Sequence, residues 1–99
     1  GMQSLDILIL GGTGLTGPHM VRYALARGHR VTVFNRGRTR ANEIPPEAVQ
    51  LTGDRAIGDL GALEGGRWDV CIDVPSTLPG WVRDAARALQ GRVGRYIFI

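Results

Sequence analysis

Lysine is missing from this sequence: all twelve of its positively charged side chains are arginine. The absence excludes chemistry that needs a lysine amine, namely Schiff-base formation, phosphate binding by a P-loop lysine, and a proton relay that pairs tyrosine with lysine. Nine acidic residues leave a formal net charge of +3. The arginines are scattered rather than clustered, so we expect RNA binding to be only a minor alternative.

Cysteine and long apolar runs are also scarce. Cys71 is the only cysteine, which excludes an internal disulfide, and its apolar neighbours predict a reduced, buried thiol. No apolar run approaches the length that spans a membrane, and the N-terminus lacks the basic and apolar layout of a signal peptide. We therefore expect a cytoplasmic protein without membrane contact.

Glycine, by contrast, is concentrated near the N-terminus. Residues 5–10 are apolar apart from Asp6, which predicts a strand buried on both faces, and apolar spacings of three and four predict a helix over 15–27. Between them lies a glycine-rich turn, the arrangement that holds a dinucleotide pyrophosphate on unbonded helix N–H groups. The predicted pyrophosphate contacts are Gly11, Gly12, Thr13, Gly14, Leu15, Thr16 and Gly17. Their spacing fits two glycine patterns, 12-14-17 and 11-14-17, and does not separate Rossmann subfamilies.

Strand and helix patterns alternate along the rest of the chain. Strands are predicted at 30–35, 48–52 and 70–74, a short helix or turn at 59–63, a helix at 81–89, and a fifth strand from Tyr96 to Ile99. This alternation predicts an α/β doubly wound parallel sheet, a Rossmann domain over 1–99 with strand order 3-2-1-4-5. The sequence stops inside the fifth strand, so we expect an incomplete domain whose unpaired apolar edge promotes self-association.

The end of the second predicted strand bears on the choice of cofactor. An acidic residue commonly binds the ribose of NAD there, but no carboxylate is present. The residues at this position are Asn35, Arg36 and Arg38. Arginine can bind a 2′-phosphate and stack on adenine, so these residues predict a preference for NADP over NAD.

Further cofactor contacts are expected after the third and fourth strands. Asp54 can accept a hydrogen bond from an adenine amino group or cap a helix, and the two roles stay open. Ser76 can likewise line the ribose or cap the next helix. The predicted contacts on these two segments are Asp54, Arg55, Val74, Pro75 and Ser76.

Other polar residues predict structural roles. Asp73 lies in a buried run, which predicts a hydrogen-bonding partner inside the protein. His19 and His29 have no carboxylate or cysteine companions at metal-ligand spacing. We therefore expect no catalytic histidine and no metal site.

Residues 7–38, and within them the tract Val-Phe-Asn-Arg-Gly-Arg at 33–38, resemble the NAD(P)-dependent epimerase/dehydratase family of extended short-chain dehydrogenases/reductases. The resemblance continues through Gly-Asp-Arg at 53–55 and through residues 68–73. The Asn-Arg-Gly variant after strand two is similar to a subgroup that includes the chloroplast stem-loop RNA-binding proteins. Leu10 stands where many extended members have threonine, which leaves the atypical, isoflavone-reductase-like NADPH reductases open.

The resemblance implies a longer parent protein with a C-terminal substrate domain, which transfers hydride between the nicotinamide and a hydroxyl-bearing substrate such as a nucleotide sugar. The family's catalytic serine or threonine and its tyrosine–lysine pair follow the fifth strand. Neither Tyr23 nor Tyr96 has a lysine four residues later. We expect no catalytic residue here and an inactive chain on its own. A non-catalytic RNA-binding or cofactor-sensing protein is the alternative from another functional class.

Overall fold

The computed structural model describes residues 3–11, 17–36, 44–74 and 79–98. Five strands and two α-helices follow one another in the described chain. They are β1 (Asp6–Leu10), α1 (Gly17–Ala26), β2 (Arg30–Asn35), β3 (Val49–Thr52), β4 (Trp68–Asp73), α2 (Pro79–Ala88) and β5 (Val93–Phe98). Two 3-10 turns, Arg55–Ile57 and Gly61–Leu63, connect β3 to β4.

The strands form one parallel sheet in the order β3-β2-β1-β4-β5, which confirms the predicted fold. Leu10 at the end of β1 is in register with Phe34 of β2 and with Asp73 of β4. The carboxyl ends of these three strands therefore lie side by side. From β1 the strand order continues through β2 and β3 on one side and through β4 and β5 on the other, and doubly wound proteins bind their ligands at this point.

Two apolar clusters cover the two faces of the sheet. On one face, Val21 and Ala24 of α1 pack against β1 and β2, and on the other, Ala85 of α2 and Leu89 pack against β1 and β4. Because Leu8, Ile9 and Leu10 are fully buried, β1 is buried on both faces, as its apolar run predicts. Burying each such side chain contributes about 1.5–3 kcal/mol.

The first helix ends at Ala26, one residue before the predicted boundary. Gly28 has a φ of +88°, the left-handed conformation that commonly follows a helix. Its N–H donates to Leu25 O at 2.9 Å, and the N–H of His29 donates to Ala24 O at 3.1 Å. Gly28 is exposed and takes no part in the packed face of the helix.

The last two strands begin earlier than predicted. β5 starts at Val93 rather than Tyr96, because residues 93–95 pair with β4 although Gly94 weakens the strand pattern in the sequence. β4 starts at Trp68, two residues before the predicted boundary. Within the short helix or turn predicted at 59–63, Gly61–Leu63 form a 3-10 turn, whereas the turn at Arg55–Ile57 lies before the predicted range.

The described helices are short. Within the described ranges, none is both long enough and apolar enough to cross a membrane.

Candidate functional site

The backbone turns sharply where it leaves β1. Gly11 has a φ of +98°, a conformation that side chains other than glycine rarely adopt. Its N–H donates to Phe34 O at 2.8 Å, and the N–H of Val74 donates to Leu10 O at 3.0 Å. A Cβ on Gly11 would lie 3.4 Å from the Cβ of Val74. The turn is therefore held between the ends of β2 and β4.

The first helix begins at Gly17, six residues after this turn. Gly17 and Pro18 are buried, and Val21 continues the packed face of the helix onto β1. An α-helix N-terminus carries unbonded N–H groups and a partial positive charge, which favour an anion. The five other predicted pyrophosphate contacts, Gly12, Thr13, Gly14, Leu15 and Thr16, lie outside the described residues.

The end of β2 places Asn35 and Arg36 in different surroundings. Asn35 is buried, and its carbonyl oxygen accepts a hydrogen bond from the N–H of Gly53 at 2.9 Å. Arg36 is exposed at the next position. The predicted 2′-phosphate ligand Arg36 is therefore accessible to a solute at this edge of the sheet. Its predicted companion Arg38 lies outside the described ranges.

Asp54 caps the 3-10 turn that follows β3. Its Oδ1 accepts a hydrogen bond from the N–H of Ala56 at 2.9 Å. Its backbone N–H and C=O also pair with Asp59, at 3.1 and 2.9 Å. Of the two roles that the sequence left open for Asp54, the cap is confirmed. Contact with adenine stays a prediction.

Gly53 makes this turn closely packed. An added Cβ would lie 2.4 Å from Asp59 O and 2.5 Å from the ring of Phe34. Phe34 is 1% exposed and belongs to the core. The turn that carries Asp54 is thus seated directly on the end of β2.

A buried ion pair joins Arg55 to Asp73 at the end of β4. Arg55 Nη1 and Nη2 donate to the two carboxylate oxygens of Asp73 at 2.7 and 2.9 Å. The side chains of Arg55 and Asp73 are only 9% and 1% exposed. The hydroxyl of Tyr96 donates to Asp73 Oδ2 at 2.5 Å. The prediction that Asp73 has a hydrogen-bonding partner inside the protein is therefore confirmed, and the structure shows two partners, Arg55 and Tyr96.

The structure gives Arg55 a different partner from the cofactor contact that the sequence predicts. Both of its terminal nitrogens bind Asp73, and its guanidinium carbon lies 5.8 Å from the centre of the Trp81 ring. Its Nε is buried and has no hydrogen-bond partner within the described ranges. A cofactor contact by Arg55 stays a prediction.

Burial and charge shift the pKa values of the groups in this cluster. Burial opposes the Arg55 cation, but the hydrogen bond and charge of Asp73 outweigh it and raise the pKa of Arg55. Burial, and then the hydrogen bond to Asp73, raise the pKa of Tyr96. Burial also raises the pKa of Cys71 to about 12, with a smaller contribution from Asp73. Tyr96 is therefore a neutral hydrogen-bond donor, and the predicted buried thiol of Cys71 is confirmed.

The two histidines lie away from this cluster. His29 Nδ1 accepts a hydrogen bond from the N–H of Leu5 at 3.1 Å, and His19 Nδ1 lies 3.1 Å from a terminal nitrogen of Arg22. Within the part of the chain that the structure describes, no group of three or more histidine, cysteine, aspartate or glutamate residues could hold a metal ion.

The sequence model of the NAD dependent epimerase/dehydratase family matches residues 7–72. The chain belongs to this family. The match runs from β1 through β4 and includes the Gly11 turn, Asp54 and Arg55. Among curated proteins, none matches the chain. The subgroup of chloroplast stem-loop RNA-binding proteins stays a prediction.

Solved structures share the fold of this epimerase/dehydratase family chain. The Bordetella bronchiseptica enzyme WbmG, in complex with NAD, matches with a TM-score of 0.77 and 18% identity over 97% of this chain and 37% of its own. A UDP-galactose 4-epimerase matches with a TM-score of 0.77 and 21% identity over 94% of this chain and 37% of its own.

A short-chain dehydrogenase/reductase from Veillonella parvula, in complex with NADP, matches with a TM-score of 0.76 and 20% identity over 98% of this chain and 47% of its own. At these identities the likeness establishes the fold alone. The chain spans between about a third and a half of the length of these three proteins.

Sequence reasoning missed the pairing of Arg55 with Asp73 in this family member. A signal was present, since a lone carboxylate ended the buried run of β4 and an arginine followed β3. Both positions lie at the carboxyl edge of the parallel sheet. Because a buried charge needs a partner, the two residues could have been matched from the predicted strand order.

Proposed function

We propose that this chain is the dinucleotide-binding part of an NAD(P)-dependent epimerase, dehydratase or reductase. The observation that carries the proposal is the Gly11 turn, which leaves β1 in a left-handed conformation between the carboxyl ends of β2 and β4. A backbone without a Cβ at this point permits a close approach of the pyrophosphate. The N-terminus of α1 follows and favours the negative charge.

Residues at three strand ends surround the expected position of the cofactor. Arg36 after β2 and Asp54 after β3 would lie at the adenosine end, where a side chain after the second strand commonly binds the ribose. Val74, in contact with the Gly11 turn, would lie beside the riboses together with Pro75 and Ser76, which are outside the described ranges. The binding of NAD by WbmG and of NADP by the Veillonella protein supports a nicotinamide dinucleotide.

We expect NADP to be preferred over NAD. Arg36 is exposed, whereas the charge of nearby Arg55 is already compensated by Asp73. No carboxylate occupies positions 35–38, so a 2′-phosphate at the end of β2 meets the Arg36 cation there.

Calorimetric titration of the chain with NADP and with NAD tests this preference. Loss of a charge-assisted hydrogen bond in Arg36→Ala should weaken NADP binding by about tenfold or more and leave NAD binding nearly unchanged. Arg22→Ala, which removes an exposed arginine on α1, is the matched control and should change neither affinity. Tighter NAD binding that Arg36→Ala does not alter would rule out the preference.

The proposed reaction class is hydride transfer, which the nicotinamide supplies when it is bound. A hydroxyl-bearing substrate such as a nucleotide sugar is supported by two similar structures, a UDP-galactose 4-epimerase and WbmG with NAD and UDP. This chain contributes cofactor binding and no lysine for a tyrosine–lysine pair. We therefore expect cofactor binding without turnover when the chain is assayed alone with UDP-galactose.

Self-association through β5 is a second part of the proposal. β5 lies at one edge of the described sheet, and Ile97 is 41% exposed there. Open strand edges pair with other chains. Light scattering at rising concentration should show a growing mean mass for the chain and a smaller increase for Ile97→Lys. A stable monomer at high concentration would contradict it.

RNA binding and a cytoplasmic location also stay proposals. The net charge of +3 supports weak binding of RNA. Affinity for a stem-loop RNA that falls steeply with salt, together with no affinity for NADP or NAD, would favour the RNA-binding alternative over the enzyme.

A further inference from the structure

A buried polar cluster ties the turn after β3 to the end of β4. It consists of Arg55, Asp73 and Tyr96, joined by three hydrogen bonds between 2.5 and 2.9 Å. In sequence, Arg55 lies 18 positions before Asp73, and Tyr96 lies 23 positions after Asp73. The cluster therefore connects three segments that are distant in sequence, next to the proposed cofactor site.

A contribution to folding stability does not by itself explain why this cluster is buried. Removing two charges from water costs several kcal/mol per ion, so a buried ion pair is often no more stabilising than apolar side chains of similar size. Arg55 Nε adds to that cost, because it is buried without a partner in the described part of the chain. A bidentate ion pair fixes the relative orientation of its two side chains, which apolar packing does not do.

The fixed orientation of the Arg55 side chain constrains the adjacent residue, Asp54. Arg55 is the first residue of the 3-10 turn that Asp54 caps, so anchoring the Arg55 guanidinium on β4 limits the movement of the capping carboxylate. On the other side, Asp73 precedes Val74, whose N–H donates to Leu10 O beside the Gly11 turn. One cluster thus links two segments that line the proposed cofactor site.

We propose that Arg55 and Asp73 are positioning residues, which hold the Asp54 carboxylate where the adenine of the dinucleotide binds. Tyr96 supports them by donating to Asp73. The inference rests on the proposed function, because it assumes that an adenine dinucleotide occupies this edge of the sheet. It assigns Arg55 no contact with the cofactor.

A double-mutant cycle on the chain tests the proposal. The affinity for NADP is measured by calorimetry at 10 °C, and circular dichroism checks that each variant is folded. Arg55→Met should weaken binding by about tenfold, and Asp54→Ala by a similar factor, because the second removes the carboxylate and the first removes what positions it. Combining the two should cost no more than Asp54→Ala alone. A purely structural role would lower the unfolding temperature and leave the affinity of the folded protein unchanged.

Arg92→Met is the matched control. Arg92 is also partly buried, and its Nη1 donates to Leu63 O at 3.0 Å. It directly precedes β5, so it lies at the amino ends of the strands, away from the proposed cofactor site. Its loss should reduce stability without changing the affinity for NADP. Tyr96→Phe, which removes one hydrogen bond and keeps the ion pair, should weaken binding about twofold to fivefold. It is the deciding variant if Arg55→Met does not fold.

The possible results separate this inference from the proposed function. If the unmodified chain binds neither NADP nor NAD, the proposed function fails, and the inference fails with it. If the unmodified chain binds NADP, and folded Arg55→Met and Tyr96→Phe bind it equally well, only the positioning role is overturned. Losses from Arg55→Met and Asp54→Ala that add fully would also overturn it, since Arg55 would then act independently of Asp54.

Discussion

Replacing Gly53 with alanine tests whether the turn after β3 is as rigid as its packing indicates. The added Cβ would lie 2.4 Å from Asp59 O and 2.5 Å and 2.6 Å from two ring atoms of Phe34. Neither neighbour can move cheaply, because Asp59 is paired with Asp54 through two backbone hydrogen bonds and Phe34 is 1% exposed. Inserting one methyl group into such a site typically costs about 1–3 kcal/mol.

That cost is large for a chain of this size. Domains of about 100 residues have unfolding free energies of roughly 5–15 kcal/mol, so Gly53→Ala should remove a substantial part of the stability. A loss of 1 kcal/mol lowers the unfolding temperature by about 4–8 °C in a domain of 60–100 residues. Urea unfolding followed by circular dichroism measures the free energy, and thermal unfolding gives an independent check.

Gly61→Ala is the control for this measurement. No atom lies within 4 Å of a Cβ built on Gly61, and its φ is not positive. The same substitution should therefore be neutral or stabilise by up to about 1 kcal/mol through the unfolded chain. Equal unfolding free energies for Gly53→Ala and the unmodified protein, within about 0.5 kcal/mol, would refute the reasoning from close packing.

Two further predictions concern the buried groups near the end of β4. Asp73→Ala should destabilise the fold by about 3–5 kcal/mol, because it leaves the Arg55 charge buried without its partner. Urea unfolding should show that Arg55→Met combined with Asp73→Leu restores part of this loss, and a double variant as unstable as Asp73→Ala would contradict the explanation. Stability should also fall from about pH 9 toward pH 12, since the pKa of Cys71 is raised to about 12 from 9.0 and the unfolded thiol ionises first. Cys71→Ala should reduce this slope in urea titrations at several pH values, and an unchanged slope would show that the thiol is not responsible.

The main features of the fold could be predicted because they depend on local patterns. The alternation of strands with helices predicts a parallel sheet, and the apolar run of β1 predicts a strand buried on both faces, as the structure shows. The start of β5 could not be predicted from its own residues. Its first three residues contain Gly94 and gain their strand conformation by pairing with β4.

The candidate site could be predicted in position but not in detail. Parallel topology places the Gly11 turn, Arg36 and Asp54 at one edge of the sheet, and each is described there. The ion pair of Arg55 was not predicted, because its partner lies on another strand, 18 positions away. The residues around Arg55 alone do not show this pairing, which becomes apparent only when the strand order places both charges at the carboxyl ends of the strands.

The pairing of Arg55 with Asp73 has a consequence for how the chain responds to ionic strength. The two side chains form an electrically neutral unit shielded from solvent, so dissolved ions screen its interior very little. Exposed Arg36 is fully subject to that screening. Near the end of β2, Arg36 therefore attracts a dianionic solute over a long range, whereas Arg55 contributes little because Asp73 neutralises its charge.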